Sequence, residues 1–293
     1  TVVLRGPGRA QSRPSQPWAE FLAGGAAISS AAAAERVRSV QAEDLSDILF
    51  TSGTTGEPKG VMCTHAQTLR AFEAWSEVIG LRSSDRYLVI NPFFHAFGYK
   101  AGWLASLIRG ATIVPQAVFD AGAALARVAR DRITMLPGPP ALYQAILAHP
   151  ELDRYDLSTL RLAVTGAAVI PTQLIIDMRE RLGFETVITG YGLTESCGIV
   201  SMCRFDDDPE TIATTSGRAI PGVEMRLAED GEILVRGYTV MRGYLDDPEA
   251  TAAAVVDGWL HTGDIGELDA RGYVRITDRK KDMFIVGGFN AYP

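Results

Sequence analysis

The sequence predicts an α/β fold in which parallel strands are covered by helices on both faces and are followed by a smaller antiparallel, β-barrel-like subdomain. The first observation behind this prediction is that short apolar segments alternate with helical stretches from residue 47 onward, as β-α-β units require. The second is that this rhythm stops near residue 205, where short strands flank the hairpin turn Glu229-Asp230-Gly231. With 293 residues and 47% hydrophobic content, the chain can also bury a large core.

The individual elements are predicted from local patterns. Strands are expected at these apolar segments: 47–50, 61–63, 87–90, 111–114, 134–136, 160–164, 186–188, 224–227, 232–236 and 272–277. A helix over residues 64–79 is expected to place four side chains on one face: Leu69, Ala71, Phe72 and Trp75. A second helix should begin at the carboxylate cap Asp120, and further helices should begin at Pro139-Pro140 and Pro171.

Charge and cysteine content exclude several classes of protein. A net charge of −7 argues against a nucleic-acid partner, because such surfaces are normally basic. The three cysteines are odd in number and form no CxxC pair, so neither a disulfide framework nor a zinc site is indicated and a reducing cytoplasm is expected. No apolar stretch reaches the ~20 residues that span a bilayer, so we expect no stable membrane insertion.

The stretch from Thr51 to Gly60 combines three glycines, four hydroxyl side chains and one lysine, Lys59. That composition suits an anionic ligand, since glycines let the backbone approach phosphate oxygens while hydroxyls and the lysine donate to them. It is not the nucleoside-triphosphatase P-loop, because no glycine precedes Lys59 and Gly60 follows it. Taken alone, a flexible connection with a solvated lysine is an equally good interpretation.

Two further motifs follow predicted strands of the α/β part. The segment from Phe93 to Tyr99 places His95 among aromatic residues just before a helix, although a core histidine is the better interpretation of this motif alone. The stretch from Thr165 to Ala168 lies at the end of a strand, where open α/β sheets place their ligands.

Five more candidate residues accompany glycine-rich or charged segments. In Gly190-Tyr191-Gly192-Leu193-Thr194-Glu195, the tyrosine can stack on a base while Thr194 and Glu195 reach a phosphate and its Mg²⁺. An ordinary glycine turn is the alternative. Asp264, after Thr262-Gly263, and Arg279, in a charged run, can contact ribose or phosphate, although such residues usually mark turns and solvated faces.

Five of these motifs follow one another over residues 47–293 in an order that resembles the adenylate-forming superfamily of acyl-CoA synthetases, adenylation domains and luciferases. They are the loop at 51–60, Phe93-Phe94-His95, Tyr191-Gly192-Leu193-Thr194-Glu195, Thr262-Gly263-Asp264 and the charged run at 278–282. Within the superfamily, the chain looks most like the acyl-CoA ligases. The stretch from Asn91 to Gly102 is similar to the actinobacterial ligases that activate the indane-propionate acid left when cholesterol rings are degraded.

This resemblance implies a reaction and its partners. A carboxylic acid, either a fatty acid or a steroid-derived ring acid, would react with ATP and Mg²⁺ to give acyl-AMP and pyrophosphate, and the acyl group would then pass to CoA. Two alternatives stay open, namely transfer to a carrier protein and a nucleotide-binding module without catalysis. The resemblance leaves the choice between a monomer and a homodimer open.

The resemblance also assigns roles to residues of the nucleotide site. Phosphate contacts fall to Thr51, Ser52, Gly53, Thr54, Thr55, Gly56 and Lys59, with Thr194 at the α-phosphate and Glu195 on Mg²⁺. Adenine and ribose contacts fall to Gly166, Ala167, Gly190, Tyr191, Gly192, Asp264 and Arg279. The catalytic set is His95, beside the acid and the thiol tunnel, with Lys59, Thr194 and Glu195.

The acyl pocket is expected between the helix after His95 and the segment after Glu195. Its nominated residues are Phe97, Tyr99, Lys100, Trp103, Ala167, Cys197 and Gly198. Lys100 is unusual among apolar neighbours and can hydrogen-bond a substrate ketone, although such a lysine more often reaches solvent or pairs with a carboxylate.

The resemblance divides the chain into four parts: a connecting segment from a truncated N-terminal subdomain at 1–46, the adenylate-binding α/β subdomain at 47–204, the antiparallel subdomain at 205–278, and the hinge with the start of a C-terminal domain at 279–293. Lys281 matches the hinge position. The family's adenylation lysine belongs to that C-terminal domain and has no equivalent in these residues. Because the chain also starts with a strand-like segment and no methionine, we expect it to be part of a longer polypeptide.

Overall fold

The computed structural model describes residues 2–3, 16–51, 58–166, 170–280, 284–286 and 289–291. The chain divides into two compact units, Thr1–Asp44 and Leu45–Pro293. None of the helices in the described ranges has both the length and the apolar character needed to cross a membrane.

The first unit is small and largely helical. Its elements are β1 (Val2–Val3), β2 (Gln16–Pro17), α1 (Trp18–Gly24) and α2 (Ser30–Ser39). The α2 helix was not predicted, because its residues are all exposed and therefore lack apolar periodicity. Alanine, the residue with the highest helix propensity, supplies four of its ten positions instead, and the Ser29 hydroxyl caps its first turn by accepting from the Ala32 N–H.

The second unit begins with an antiparallel hairpin that leads into a long helix. Its elements are β3 (Leu45–Thr51), β4 (Lys59–Thr64) and α3 (His65–Val78), and β13 (Gly243–Tyr244) joins the other edge of β4. The prediction that Leu69 lies on the buried face of α3 is wrong, because Leu69 is 48% exposed. The buried stripe is Thr68, Ala71, Phe72 and Trp75. This stripe has the i, i+3, i+4, i+7 spacing of a helix face, so Thr68 takes the place expected for Leu69.

The predicted parallel sheet is confirmed. Its strands are β5 (Arg86–Val89), β6 (Thr112–Pro115), β7 (Leu162–Gly166) and β8 (Thr186–Tyr191), with β5 parallel to β6 and β7 parallel to β8. The strand predicted at 134–136 is reduced to Met135, which bridges Tyr87 and Leu162 and so joins the two pairs. Beyond β8 the sheet continues antiparallel through β9 (Ser201–Met202) and β10 (Arg218–Ala219).

Helices pack around this sheet in two groups. The first consists of α3 with the helical run α4 (Ala96–Gly98), a π-helical turn (Tyr99–Leu104) and α5 (Ala105–Arg109). The second is the series α6 (Ala121–Asp131), α7 (Pro140–Leu147), α8 (Thr172–Glu180) and α9 (Pro209–Thr214). The predicted helix starts at Asp120, Pro139-Pro140 and Pro171 are confirmed, and Asp120 caps α6 by accepting from the Ala123 N–H.

The antiparallel subdomain is built on β11 (Val223–Leu227), β12 (Glu232–Gly237), β14 (Val255–Val256), β15 (Trp259–Leu268) and β16 (Val274–Arg279), with α10 (Pro248–Ala254) beside them. The strand order is β11-β12-β15-β14, with β16 also on β15, so the described strands form an antiparallel sheet without barrel closure. Gly231 has φ +83°, which the predicted hairpin turn requires. A last hairpin joins β17 (Phe284–Val286) to β18 (Phe289–Ala291).

A buried ion pair stabilises the parallel sheet. The Arg161 guanidinium lies 2.5 Å from the carboxylate of Asp85, whose side chain is only 3% exposed. We expect Arg161→Met to lower the free energy of unfolding by about 3–5 kcal/mol, because the substitution leaves a buried carboxylate uncompensated. Denaturant titration measures the change. As a control, Arg271→Met removes the exposed pair with Asp269 and should cost less than about 1 kcal/mol, and equal losses would contradict the argument.

Candidate active site

The carboxyl ends of β7 and β8 form the floor of the candidate site. Gly166 and Gly190 are paired in register at these ends, as predicted for strands that place a ligand at one edge of the sheet. Gly166 has φ +153°, and a Cβ there would lie 3.0 Å from the Gly190 carbonyl oxygen. A Cβ at Gly192 would lie 2.4 Å from the Gly198 carbonyl oxygen. The glycines therefore allow close backbone packing, while Ala167 lies outside the described residues.

Glu195 lies in a tight turn directly after β8. Residues Thr194–Ser196 form one 3₁₀ turn, and the backbone oxygen of Glu195 accepts from the Met241 N–H at 2.8 Å. The Tyr244 hydroxyl donates to Glu195 Oε1 at 2.9 Å. The segment 241–244 thus holds Glu195 twice, with the Met241 N–H on its backbone oxygen and the Tyr244 hydroxyl on its carboxylate.

Tyr244 also links Glu195 to the predicted phosphate loop. The Lys59 ammonium lies 5.1 Å from the centroid of the Tyr244 ring, within cation–π range. Lys59 and Thr51 are paired at the ends of β4 and β3, so the two ends of the loop are adjacent. Ser52, Gly53, Thr54, Thr55 and Gly56 lie outside the described residues. The structure therefore brings Lys59 and Glu195 to one place through a residue that the sequence motifs did not indicate.

The predicted ribose residues form a buried chain with the predicted adenine residue. The Tyr191 hydroxyl donates to Asp264 Oδ2 at 2.5 Å, and Arg279 Nε lies 2.6 Å from Asp264 Oδ1. Asp264 is only 1% exposed, and burial raises its pKa although Arg279 opposes the shift. The Arg279 contact is short but poorly aligned for a hydrogen bond, since Oδ1 has no aligned donor among the described residues. The partner of the buried Oδ1 among the described residues is therefore the Arg279 ion pair, and a contact of Asp264 with ribose stays a prediction.

His95 lies at the start of the helical run that follows β5. Its Nδ1 accepts from the Phe97 N–H at 3.1 Å, so this nitrogen is unprotonated and the proton of the neutral ring is on Nε2. The ring is exposed at the surface, yet the surrounding protein desolvates it and lowers its pKa. At neutral pH, His95 therefore offers an N–H donor without carrying a positive charge.

The nominated acyl residues fall into two groups. Tyr99 and Trp103 stack with ring centroids 4.8 Å apart. A Cβ at Gly198 would lie 3.1 Å from the Cβ of Ala96, so the turn after Glu195 packs closely against the helix after His95. Lys100 and Cys197, by contrast, are fully buried. Lys100 pairs with Asp47 at 2.9 Å, which agrees with one of the alternatives for this lysine and excludes a solvated ammonium. Substrate contact by Lys100 stays a prediction.

The residues fit a Mg²⁺ ion that travels with ATP. The described part of the chain holds no cluster of three or more His, Cys, Asp or Glu side chains suited to a metal. Mg²⁺ in nucleotide sites is typically held by one or two carboxylates together with substrate phosphates, and Glu195 supplies one such carboxylate beside Lys59.

The predicted hinge residue Lys281 is outside the described residues, while its neighbour Lys280 pairs with Asp230 and Glu232.

The α/β domain brings together an acidic turn, a lysine and the linked side chains of Tyr191, Asp264 and Arg279 at the strand ends. Such a set of residues suits a nucleotide. The chain belongs to the AMP-binding enzyme family, whose model matches residues 7–245.

Two curated relatives are similar over almost the whole chain. Both are named 3-[(3aS,4S,7aS)-7a-methyl-1,5-dioxo-octahydro-1H-inden-4-yl]propanoyl:CoA ligase. The protein from Rhodococcus jostii is 56% identical over 94% of this chain, and the protein from Mycobacterium tuberculosis is 57% identical over 94%. The chain spans about half the length of these relatives, 53% and 54% respectively.

A solved structure supports the fold at lower identity. The Mycobacterium tuberculosis fatty acyl CoA synthetase is 32% identical, with a TM-score of 0.78 over 97% of this chain and 58% of the matched chain. The predicted resemblance to the adenylate-forming acyl-CoA ligases is therefore confirmed at the level of the family and the fold.

Proposed function

We propose that the protein carrying this chain is an AMP-forming acyl-CoA ligase. A carboxylate oxygen of the acid attacks the α-phosphorus of ATP, pyrophosphate leaves, and the thiol of CoA then displaces AMP to give a thioester. The observation that carries the proposal is the 56–57% identity to two CoA ligases over 94% of the chain. The contacts of Glu195, Lys59 and Asp264 support it.

The described residues account for how two anions are held together. Lys59 would contact the β- and γ-phosphates, Thr194 would contact the α-phosphate, and Glu195 would hold the Mg²⁺ ion, which would neutralise phosphate charge. Donors fixed before the reaction starts stabilise developing charge better than mobile water does. His95, as a neutral Nε2–H donor, orients the acid carboxylate without forming a competing ion pair.

The acid we propose is a ring-containing keto acid with a propanoate side chain. The two similar ligases are named for such a propanoyl group. On this chain, the stacked pair Tyr99 and Trp103 offers a rigid, flat apolar wall, which suits a fused ring better than a flexible alkyl chain.

Acid-dependent exchange between ATP and labelled pyrophosphate tests the proposal in the whole protein that carries this chain. We expect exchange with an indane-dione propanoate to exceed exchange with a fatty acid of similar carbon number by at least about tenfold, since a rigid ring loses less conformational freedom on binding. The absence of exchange with every acid tested would indicate a nucleotide-binding module. Equal exchange with both acids would contradict the ring-acid assignment.

The acceptor is tested separately by adding free CoA or a carrier protein with a pantetheine arm after acyl-AMP has formed. We expect a thioester with free CoA. Thioester formation on the carrier protein alone would assign the chain to the carrier-loading adenylating enzymes.

A further inference from the structure

A buried cluster of polar side chains includes Lys100 and Cys197, which were nominated above for the acyl pocket, and joins them to Asp47 and Thr68. Lys100, in the π-helical turn, is 0% exposed and contacts both Asp47 of β3 at 2.9 Å and the Cys197 sulfur at 3.3 Å. Thr68 of α3 donates to Asp47 Oδ2 at 3.2 Å and lies 3.6 Å from the same sulfur. Four separate elements therefore meet through these side chains.

The position of the cluster connects the two segments that handle ATP. Asp47 is the third residue of β3, four residues before Thr51, where this strand leads into the predicted phosphate loop. Cys197 is two residues after Glu195, in the same turn. Lys100 thus forms a bridge of one side chain between the strand before the loop and the turn that carries the predicted metal ligand.

The backbone of Cys197 shows that its surroundings hold it firmly. Its φ of +59° is a left-handed conformation that is rare for a residue other than glycine, asparagine or aspartate. Such conformations persist only where neighbouring contacts impose them. The Cys197 sulfur contacts Lys100 and Thr68, and the Cys197 N–H donates to the Thr194 carbonyl oxygen at 3.0 Å, so the cluster and the turn hold this residue together.

Charge within the cluster favours one arrangement. A buried ammonium is costly unless it is paired, so Lys100 has little freedom to leave Asp47 and Cys197. The Asp47 carboxylate, 2.9 Å from the Lys100 ammonium, supplies the opposite charge, and the Cys197 sulfur accepts from the same ammonium at 3.3 Å.

We infer that Asp47, Lys100 and Cys197 act as a positioning cluster that fixes the Glu195 turn relative to the phosphate loop and so sets the affinity for Mg²⁺·ATP. The inference rests on the proposed function only for the identity of this ligand. None of the three residues touches the reacting atoms in this account. They act through the carboxylate of Glu195, as an outer contact acts on a metal ligand.

Calorimetric titration of the whole protein with ATP, with and without Mg²⁺, tests the inference. We expect Cys197→Ala and Lys100→Met each to weaken Mg²⁺·ATP binding by about tenfold, as losing an outer contact of a metal ligand typically does. Binding of metal-free ATP should change less than about twofold, because the contacts of Lys59 are retained. Cys197→Ser, which keeps an acceptor for Lys100, should recover part of the loss.

Matched controls separate positioning from stability. Cys203→Ala removes a second fully buried cysteine, and Arg161→Met breaks a buried ion pair in the parallel sheet. Both should lower the melting temperature and leave the preference for Mg²⁺·ATP over ATP unchanged. Cys197→Gly relieves the left-handed strain and removes the sulfur, so it should lose the metal preference without a fall in melting temperature. If Lys100→Met unfolds the protein, the Cys197 variants still decide the question.

Three results would overturn the inference. The first is a preference for Mg²⁺·ATP in the Cys197 variants that equals that of the unmodified protein. The second is an effect of Lys100→Met on turnover of keto acids alone, which would make Lys100 a substrate contact. The third is a loss of preference in the two controls. One further outcome separates the two proposals. If the protein binds Mg²⁺·ATP, loses its metal preference in the cluster variants and shows no acid-dependent exchange, the proposed function is wrong and the positioning role of the cluster is supported.

Discussion

Glu195→Gln is expected to reduce acid-dependent pyrophosphate exchange by at least about a hundredfold, the usual effect of removing one electrostatic contact to the transition state. The amide has nearly the same shape, so it can still accept from the Tyr244 hydroxyl, which now lies 2.9 Å from Glu195 Oε1. What the substitution removes is the negative charge that we propose holds Mg²⁺ beside the phosphates. Initial rates at saturating Mg²⁺ and ATP measure the effect.

Two comparisons make the assignment of Glu195 specific. Tyr244→Phe keeps the carboxylate and removes only the hydroxyl that orients it, so its loss should be near tenfold. Chelation of Mg²⁺ should abolish exchange by the unmodified protein and lower the residual rate of Glu195→Gln far less. Unchanged exchange in Glu195→Gln would show that the metal ligand lies elsewhere.

Asp264→Asn is expected to raise the KM for ATP by about 10–100-fold, since hydrogen bonds to charged groups contribute about 1.5–3 kcal/mol. Asp264 is buried between the Tyr191 hydroxyl at 2.5 Å and Arg279 at 2.6 Å. The asparagine loses both the ion pair and one of the two oxygens that can accept from ribose hydroxyls. Steady-state kinetics with ATP as the varied substrate provide the measurement.

A nucleotide analogue separates a ribose contact from a general weakening of the site. Dideoxy-ATP, which lacks both ribose hydroxyls, should bind the unmodified protein much less tightly than ATP does. If Asp264 contacts the ribose, the substitution and the loss of the ribose hydroxyls remove the two ends of the same contact. Asp264→Asn should therefore discriminate far less between ATP and dideoxy-ATP than the unmodified protein does. Retained discrimination would assign Asp264 a structural role only.

The fold could be predicted where one pattern dominated locally. Alternating strands and helices from residue 47, the capped start of α6 and the hairpin at Gly231 each follow from spacing or turn chemistry. The exceptions have physical causes. The exposed helix α2 has no apolar stripe to detect, and the strand expected at 134–136 is cut short before Pro137, which has no N–H to donate to a ladder. Thr68 is buried on α3 because it bonds Asp47, which hydrophobicity alone does not indicate.

The site could be predicted in part, because short motifs carry its glycines and its charged residues. The contacts between motifs could not. Tyr244 is 49 positions from Glu195, and Cys197 is 97 positions from Lys100, so no local spacing relates them. The sequence shows Lys100 as an isolated charge among apolar residues. Its partner Asp47 lies in a segment whose pattern indicates a strand and gives no sign of an ion pair. Long-range polar pairs of this kind depend on the fold itself.

The most direct test of the central claim is a product analysis of one reaction that contains the whole protein, Mg²⁺, ATP, CoA and the indane-dione propanoate. The account predicts AMP, pyrophosphate and acyl-CoA thioester in equal amounts, and none of them when the acid is omitted. ADP and orthophosphate as the nucleotide products, or AMP formation that does not depend on the acid, would contradict it.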